Sequence, residues 1–262
     1  MFDKYHINTP QAIVANYATA FTIGILSYNG TIQISNIPQK PWFIGAITLS
    51  CLFISVFNIM ALTAQKNGVT VAAIAGKMSV IIPVVFGVIL YHEKLSALQI
   101  VGIILALTAV YLTTAKEKTE LQSHQYLFPI LLFIGSGIID TSIKYVQHYY
   151  VSPTEIPLFS ATIFGSAFCL GICLLLYLKN KIELKNILAG ISLGVINYFA
   201  IYYLLKALSD KTLVSATLFS INNVTIVLLT TLMGLAFFKE KLSPKNWIGI
   251  CFAIISILLV AN

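Results

Sequence analysis

The chain has 262 residues, of which 58% are hydrophobic and only 10% are charged, with a mean hydropathy of +0.89. This composition excludes an ordinary soluble domain and indicates an integral membrane protein. The net charge of +7 rests on sixteen lysines with no arginine, scattered over short loops, which favours anchoring at a membrane surface over nucleic-acid binding.

Apolar runs long enough to cross a hydrocarbon core of about 30 Å recur along the chain. Backbone polar groups inside a bilayer must be satisfied internally, so these runs predict a bundle of transmembrane helices in an all-α integral membrane protein. We predict nine transmembrane helices, at roughly residues 9–27, 42–64, 69–91, 96–114, 126–143, 156–178, 187–208, 213–238 and 243–261.

Two stretches of the chain are copies of one another at a constant offset of 147 residues. Residues 91–112 read YHEKLSALQIVGIILALTAVYL, and residues 238–259 read FKEKLSPKNWIGICFAIISILL. The identical pairs are Glu93 with Glu240, Lys94 with Lys241, Leu95 with Leu242, Ser96 with Ser243, Gly102 with Gly249, Ile103 with Ile250 and, one helix earlier, Gly87 with Gly234. Each copy predicts a helix–turn–helix pair within a duplicated membrane protein.

The turns of this motif have a local structural interpretation. Ser96 opens an apolar segment with Gln99 three positions later, the pattern of a capping box. Ser243 precedes Pro244, and a proline at the first helical position wastes no hydrogen-bond donor. We interpret the glutamates of the two charged turns as marking a membrane boundary.

The spacing of the two copies predicts an inverted repeat. They join spans three and four and spans eight and nine, and an odd separation of five spans places the two turns on opposite sides of the membrane. Residues 1–118 would then form a first repeat of four helices and residues 119–262 a second repeat of five. A fifth helix of the first repeat predicts about 20 apolar residues encoded in frame upstream of Met1.

The duplicated motif, the Pro83 of the helix before the first turn and the inverted repeat resemble the EamA-type permeases of the drug/metabolite transporter superfamily. The resemblance covers essentially the whole chain. It implies ten helices in two five-helix halves around a central substrate cavity. This sequence differs in lacking the first helix and in having Thr230 where the offset of 147 places Pro83.

The lysines give one indication of orientation, and the repeat gives the opposite one. Ten lysines lie on the side of the N-terminus and five on the other, which places residue 1 in the cytoplasm. A missing first helix places residue 1 outside, if the complete protein starts in the cytoplasm. The orientation is therefore left open.

Two ionisable residues lie deep within predicted spans, where charge is costly and commonly functional. Lys77 is about 12 Å from the start of the third span, in a helix predicted to continue through Pro83, whose missing donor favours an irregular stretch. Lys77 could pair with Asp140, the one deep acid, or hold an anionic group of the substrate, and Asp140 could serve in proton coupling if it faces the cavity. The alternatives are that Lys77 snorkels to the interface and that Asp140 pairs with Lys144 one turn on.

Uncharged polar residues also lie within the spans, where several would serve only to join helices. Asn222 and Asn223 are adjacent and point about 100° apart, so at most one lines a cavity comfortably. The segment from Gly190 to Gly194 reads GISLG, a small-xxx-small packing signal. The residues that we place along a substrate path are Lys77, Asn58, Asp140, Asn197, Asn222, Ser220 and Tyr198.

Enzymatic motifs are lacking in the sequence. It has no Gly-rich phosphate loop, no HExxH and no Gly-x-Ser-x-Gly elbow, and the four histidines show no metal-ligand spacing. The four cysteines, Cys51, Cys169, Cys173 and Cys251, fall in apolar runs, and we interpret them as small core residues.

These observations predict a secondary transporter of the bacterial inner membrane, working by alternating access of two inverted halves. Its partners would be the lipid bilayer and a small metabolite, amino-acid-like or drug-like. We expect no catalytic residues, cofactor, metal or nucleic acid, and nothing indicates an oligomer. The alternative is a truncated or non-transporting membrane protein that acts as a structural subunit.

Overall fold

A computed structural model describes residues 8–30, 33–67, 69–114, 127–178, 183–210, 214–238 and 243–261. Within these ranges the chain forms helices only, which confirms the all-α prediction. The helices are α1 (Thr9–Leu26), the 3-10 helix η1 (Ile34–Gln39), α2 (Phe43–Asn67), α3 (Val69–Met78), α4 (Ile81–Tyr91), α5 (Ala97–Thr114), α6 (Leu127–Tyr150), the 3-10 helix η2 (Pro153–Glu155), α7 (Ile156–Leu178), α8 (Leu184–Ser209), α9 (Ser215–Phe238) and α10 (Pro244–Ala261).

The helices follow the predicted spans with two differences. The third span is divided into α3 and α4, and α6 runs on to Tyr150, because no turn residue interrupts it before Ser152 and Pro153. Within the described residues, five helical segments are long and apolar enough to cross a membrane: Phe43–Asn67, Val71–Tyr91, Leu127–Tyr150, Pro153–Tyr177 and Leu184–Ser209. The count of nine crossings stays a prediction.

The chain forms two compact units, each built from two stretches of sequence. The first contains Met1–Ser55 and Ser142–Asp210, and the second contains Val56–Thr141 and Lys211–Asn262. The chain passes between them three times, within α2, within α6 and after the end of α8. This grouping by contact cuts across the predicted sequence repeats, whose boundaries stay a prediction.

In the first unit, α1 packs against α8 through the glycines of the predicted GISLG contact. A Cβ atom on Gly190 would lie 2.5 Å from the Cβ of Ala15, and one on Gly194 would lie 2.6 Å from the Cβ of Thr19. Side chains at these two positions would collide with α1, so the glycines let the helices approach closely. The small-xxx-small prediction is confirmed, and its partner is α1.

Helix α1 also packs against α7, and the two helices run antiparallel. A Cβ on Gly24 would lie 2.8 Å from the Cβ of Ala161, whereas one on Gly171 would lie 2.7 Å from a methyl carbon of Val14. Gly171 follows Gly24 by 147 residues, and Ala161 follows Val14 by the same offset. The two contacts are therefore equivalent: in one the glycine belongs to α1, and in the other the equivalent glycine belongs to α7.

In the first unit, the carboxylate of Glu155 connects η2 to the residues just before α2. Glu155 accepts hydrogen bonds from the Lys40 ammonium at 2.5 Å and from the Trp42 indole N–H at 2.8 Å. Trp42 is fully buried and lies edge-on to Phe159, with ring centroids 5.6 Å apart. The charged acceptor satisfies the buried indole, since such a donor is costly to leave unpaired.

In the second unit, α5 and α10 also pack antiparallel. A Cβ on Gly102, near the start of α5, would lie 2.5 Å from a methyl carbon of Val260 at the end of α10. The Asn246 side chain, at the start of α10, donates to the carbonyl of Leu112 at 3.2 Å. The start of each helix therefore lies beside the end of the other.

At the middle of the α5–α10 pair, the residues in contact are again related by the offset of 147. Ala106 of α5 and Ala253 of α10 belong to one buried cluster, and they are 147 residues apart. Val224 of α9 completes the contact. Small side chains at equivalent positions let the two helices meet closely where they cross.

The local capping predictions are confirmed. The Ser96 N–H donates to the Gln99 side chain at 3.0 Å, and the Gln99 N–H donates to the Ser96 hydroxyl at 3.2 Å, which forms the capping box of α5. Helix α10 begins at Pro244, with Ser243 as its cap. Residues 240–242 of the second turn lie outside the described residues.

The interpretation of the cysteines as core residues is wrong. All four are exposed and form no disulfide. The thiol is apolar enough to face lipid at little cost, so its position in an apolar run does not distinguish core from lipid contact.

Candidate functional site

The third predicted span is interrupted just after Lys77. The helical segment Val71–Tyr91 runs through Pro83 as predicted, with a short irregular stretch at Ser79 and Val80 that divides α3 from α4. Pro83 has no N–H to donate to the Ser79 carbonyl, and the Ile82 N–H donates to that oxygen instead, at 2.9 Å. The irregular stretch therefore lies on the N-terminal side of the proline, where its missing hydrogen bond falls.

Lys77 and Asp140 come together beside this interruption. Lys77 lies in the last turn of α3 and Asp140 lies on α6, and both are half-buried. Their charges interact electrostatically. Within the described residues, no hydrogen bond or direct ion pair joins the two side chains. The close packing of Gly137 against Ile82 holds α6 against α4 next to the pair.

Gly76, the residue before Lys77, is loosely surrounded. A Cβ on Gly76 would meet no atom within 4 Å, whereas a Cβ on Gly137 would collide with the side chain of Ile82.

Lys144 has a different partner from the one weighed in the sequence. Its ammonium donates to the carbonyl of Leu208 at 3.5 Å, in the last turn of α8, where carbonyls lack intrahelical donors. Asp140 interacts electrostatically with Lys77 on another helix.

Helix α9 carries two further predicted path residues. Ser220 is buried, and its hydroxyl finds no hydrogen-bond partner in the described part of the chain. Asn222 is half-buried. Asn223 is buried and donates to the carbonyl of Phe219 at 3.1 Å, one turn back in its own helix. Of the two adjacent asparagines, Asn222 is therefore the more exposed.

The remaining candidates make different contacts. Asn197 donates to the side chain of Asn16 at 3.3 Å, which joins α8 to α1. Tyr198 is buried beside Gly24 and stacks on Tyr202, with ring centroids 5.9 Å apart. These are packing contacts within the first unit. Asn58 lies on α2 in the second unit and is exposed.

Glu93 has a long-range role that the sequence interpretation missed. Its carboxylate accepts hydrogen bonds from the N–H and hydroxyl of Ser215 and from the N–H of Ala216, at the start of α9. A serine directly before an apolar run signals a helix start, but nothing local identifies an acceptor 122 residues away. The residue does more than mark a membrane boundary.

The described residues contain no group of three or more histidine, cysteine, aspartate or glutamate side chains that could hold a metal ion. The ionisable groups at the interrupted helix are one ammonium and one carboxylate. Such a pair can bind charged or polar groups of a solute, or exchange protons with it.

Comparison with known proteins identifies the family. The sequence profile of the EamA-like transporter family matches residues 3–115 and 125–262. A Haemophilus influenzae protein described as uncharacterized is 30% identical over 269 aligned positions, which cover 97% of this chain and 89% of that protein. A crystal structure matches the fold with a TM-score of 0.70 over 97% of this chain and 87% of its own, at 14% identity. The chain is therefore an integral membrane protein that belongs to the EamA-like transporter family.

Proposed function

We propose that the protein is a secondary transporter that moves a small metabolite across the bacterial inner membrane by alternating access of two inverted halves. The family supports transport. The antiparallel pairs of α1 with α7 and of α5 with α10, each related by the offset of 147 residues, support the inverted repeat. Halves of opposite orientation are the architecture in which one solute site opens alternately to each side.

The observation that carries the proposal is the Lys77–Asp140 pair beside the interrupted third span. Irregular stretches within helices often line solute sites in secondary transporters. Here the irregular stretch at Ser79 and Val80 lies beside two ionisable side chains that interact electrostatically. In the proposal, Lys77 and Asp140 contact the solute, and Asn58, Asn222, Ser220, Asn197 and Tyr198 lie along its path.

A purely structural role for Lys77 makes different predictions. An ammonium at the end of α3 stabilises the helix dipole, and pairing with Asp140 would offset the cost of burying either charge. In that case, loss of Lys77 would destabilise the fold, and removing both charges would restore it. A snorkelling lysine would be dispensable for both folding and transport.

The proposal is tested with the purified protein in proteoliposomes, screened for uptake and efflux of amino-acid-like and drug-like metabolites. We expect Lys77→Met to abolish transport of the solute so identified while expression and thermal stability stay near wild type, because methionine fills a similar volume without the charge. Asp140→Asn should likewise reduce transport.

Lys66→Met is the matched control. Lys66 is exposed at the end of α2, with its ammonium 4.4 Å from the centre of the Phe128 ring, outside the proposed site. Wild-type transport rates in Lys77→Met would remove Lys77 from the site. If no metabolite crossed faster than in protein-free liposomes, the proposed function itself would be wrong.

A further inference from the structure

We infer that Glu93 is a positioning residue for transport: it fixes the start of α9 and thereby sets the position of Ser220 and Asn222. This inference rests on the proposed function, because those two residues are taken to lie on the solute path. Glu93 belongs to the charged turn of the first sequence copy, and α9 precedes the second copy. A residue of one repeat thus holds a helix of the other.

The contact is a charged helix cap supplied from a distance. Glu93 accepts from the Ser215 N–H at 2.9 Å, from the Ser215 hydroxyl at 2.5 Å and from the Ala216 N–H at 3.3 Å. The first N–H groups of a helix have no acceptor within it, and a negative charge at that end is favourable. One carboxylate therefore satisfies three donors, which is a stronger connection than a neutral hydrogen bond.

The turn around Glu93 is shaped to make this contact. A Cβ on Gly87 would lie 2.7 Å from a carboxylate oxygen of Glu93 and 3.2 Å from the hydroxyl of Ser215, so a larger residue would displace the carboxylate from its present position. His92 adopts a left-handed backbone conformation with φ of 50°, and the Glu93 N–H then donates to the Gly87 carbonyl at 3.4 Å. The side chain is directed to α9 by a backbone conformation that costs energy outside glycine.

The other described contacts of α9 are mainly apolar. Val224 packs with alanines of α5 and α10, and Leu218 and Phe219 are buried near the start of the helix. The Thr217 hydroxyl reaches the Val260 carbonyl only at 3.5 Å. The hydrogen bonds of Glu93 add a charged and directional connection to this packing, and we infer that they fix the register of α9.

The cap lies close enough to Ser220 and Asn222 to influence the position of their side chains. Ser220 and Asn222 follow Ser215 by about 7.5 Å and 10.5 Å along the helix axis, at 1.5 Å per residue. A small rotation or shift of α9 at its start would reach both side chains. Loss of the cap should therefore alter solute contacts without removing any residue that touches the solute.

The experiment measures the position of α9 and the transport kinetics separately. In a background with the four native cysteines replaced by serine, Asn222→Cys is labelled with a water-soluble maleimide in liposomes. Glu93→Ala should change that labelling rate about tenfold, since three hydrogen bonds to a charged group are lost. In the chain with native Asn222, Glu93→Ala should raise the KM of the identified solute by a similar factor.

Glu93→Gln should restore both measurements in part, because its amide oxygen still accepts from Ser215. Ser96→Ala is the control: it removes the cap of α5 from the same loop and should lower thermal stability without moving the labelling rate or the KM. If Glu93→Ala does not fold, Glu93→Gln and Ser215→Ala carry the test.

Lower thermal stability with an unchanged labelling rate and an unchanged KM would overturn the inference and leave Glu93 as a structural cap only. A wild-type protein that transports nothing would refute the proposed function. The labelling result would still decide whether Glu93 positions α9, so the two failures are distinguishable.

Discussion

Gly24 of α1 and Gly171 of α7 occupy equivalent places in one antiparallel contact, each lying where a Cβ atom would collide with the other helix. Gly24 lies against Ala161, and Gly171 lies against Val14. Because both pairs differ by the same offset of 147 residues, the close approach of α1 and α7 depends on both glycines.

The first prediction follows from this equivalence. Gly24→Leu and Gly171→Leu should each lower the free energy of unfolding by about 1–3 kcal/mol, because a larger side chain forces the helices apart. Thermal unfolding of the detergent-purified protein measures the effect. Gly76→Leu is the control and should leave the midpoint close to wild type, since its side chain enters open space. Equal losses at all three positions would contradict the contact.

The second prediction concerns the direction of α5 and α10. Cysteines introduced by Ala97→Cys and Lys245→Cys, at the starts of the two helices, should be labelled from opposite sides of the membrane, because the helices pack antiparallel. The measurement uses impermeant maleimides on inside-out and right-side-out vesicles, in a background without native cysteines. Labelling of both positions from one side would refute the inverted repeat.

The third prediction concerns the pH dependence of the Lys40–Glu155 pair. The hydrogen bond from Lys40 to Glu155, together with the attraction between their charges, raises the pKa of Lys40 above the ordinary value of 10.5. A raised folded-state pKa adds stability that is fully present below the unfolded pKa and is lost as the pH rises through the folded pKa.

The unfolding midpoint of the wild type should therefore exceed that of Lys40→Met at neutral pH, and the difference should shrink only above about pH 10.5. Lys185→Met provides the comparison, because the Lys185–Glu183 pair is more exposed, with more than half of each side chain accessible, and should contribute little. A difference between wild type and Lys40→Met that is already lost by pH 9 would contradict the assignment.

The fourth prediction concerns the left-handed backbone at His92. His92→Gly should fold at least as stably as wild type, whereas His92→Val should lose about 1–2 kcal/mol, because a branched Cβ clashes in that conformation. Thermal unfolding of the two variants tests the difference. Equal stability of the glycine and valine variants would show that the turn relaxes to another conformation.

Sequence reasoning succeeded where the partners are close along the chain. The capping box of Ser96 and Gln99 spans three residues, and its pattern depends on local helix geometry alone. The GISLG signal identified a packing face for the same reason, but it could not name α1 as the partner. The apolar runs located the helices because the hydrophobic length of a span is set by the bilayer.

The failures involve distance along the chain or a choice among equivalent faces. Glu93 meets Ser215 only after several helices have packed, so no local pattern reveals the cap. Pro83 predicts a missing hydrogen bond, but the residues that absorb the loss depend on the neighbouring helices. The cysteines show the same limit, since lipid and a protein core are equally apolar surroundings.

The reciprocal contact of α1 and α7 has a consequence for the origin of the chain. A surface that packs against its own antiparallel equivalent is self-complementary, which is the requirement for a two-fold interface between identical subunits. Separate half-length chains carrying this glycine face would bury it against one another when inserted into the membrane in opposite orientations. Joining two such chains would preserve the contact, so gene fusion could produce this protein from a homodimer without the evolution of a new interface.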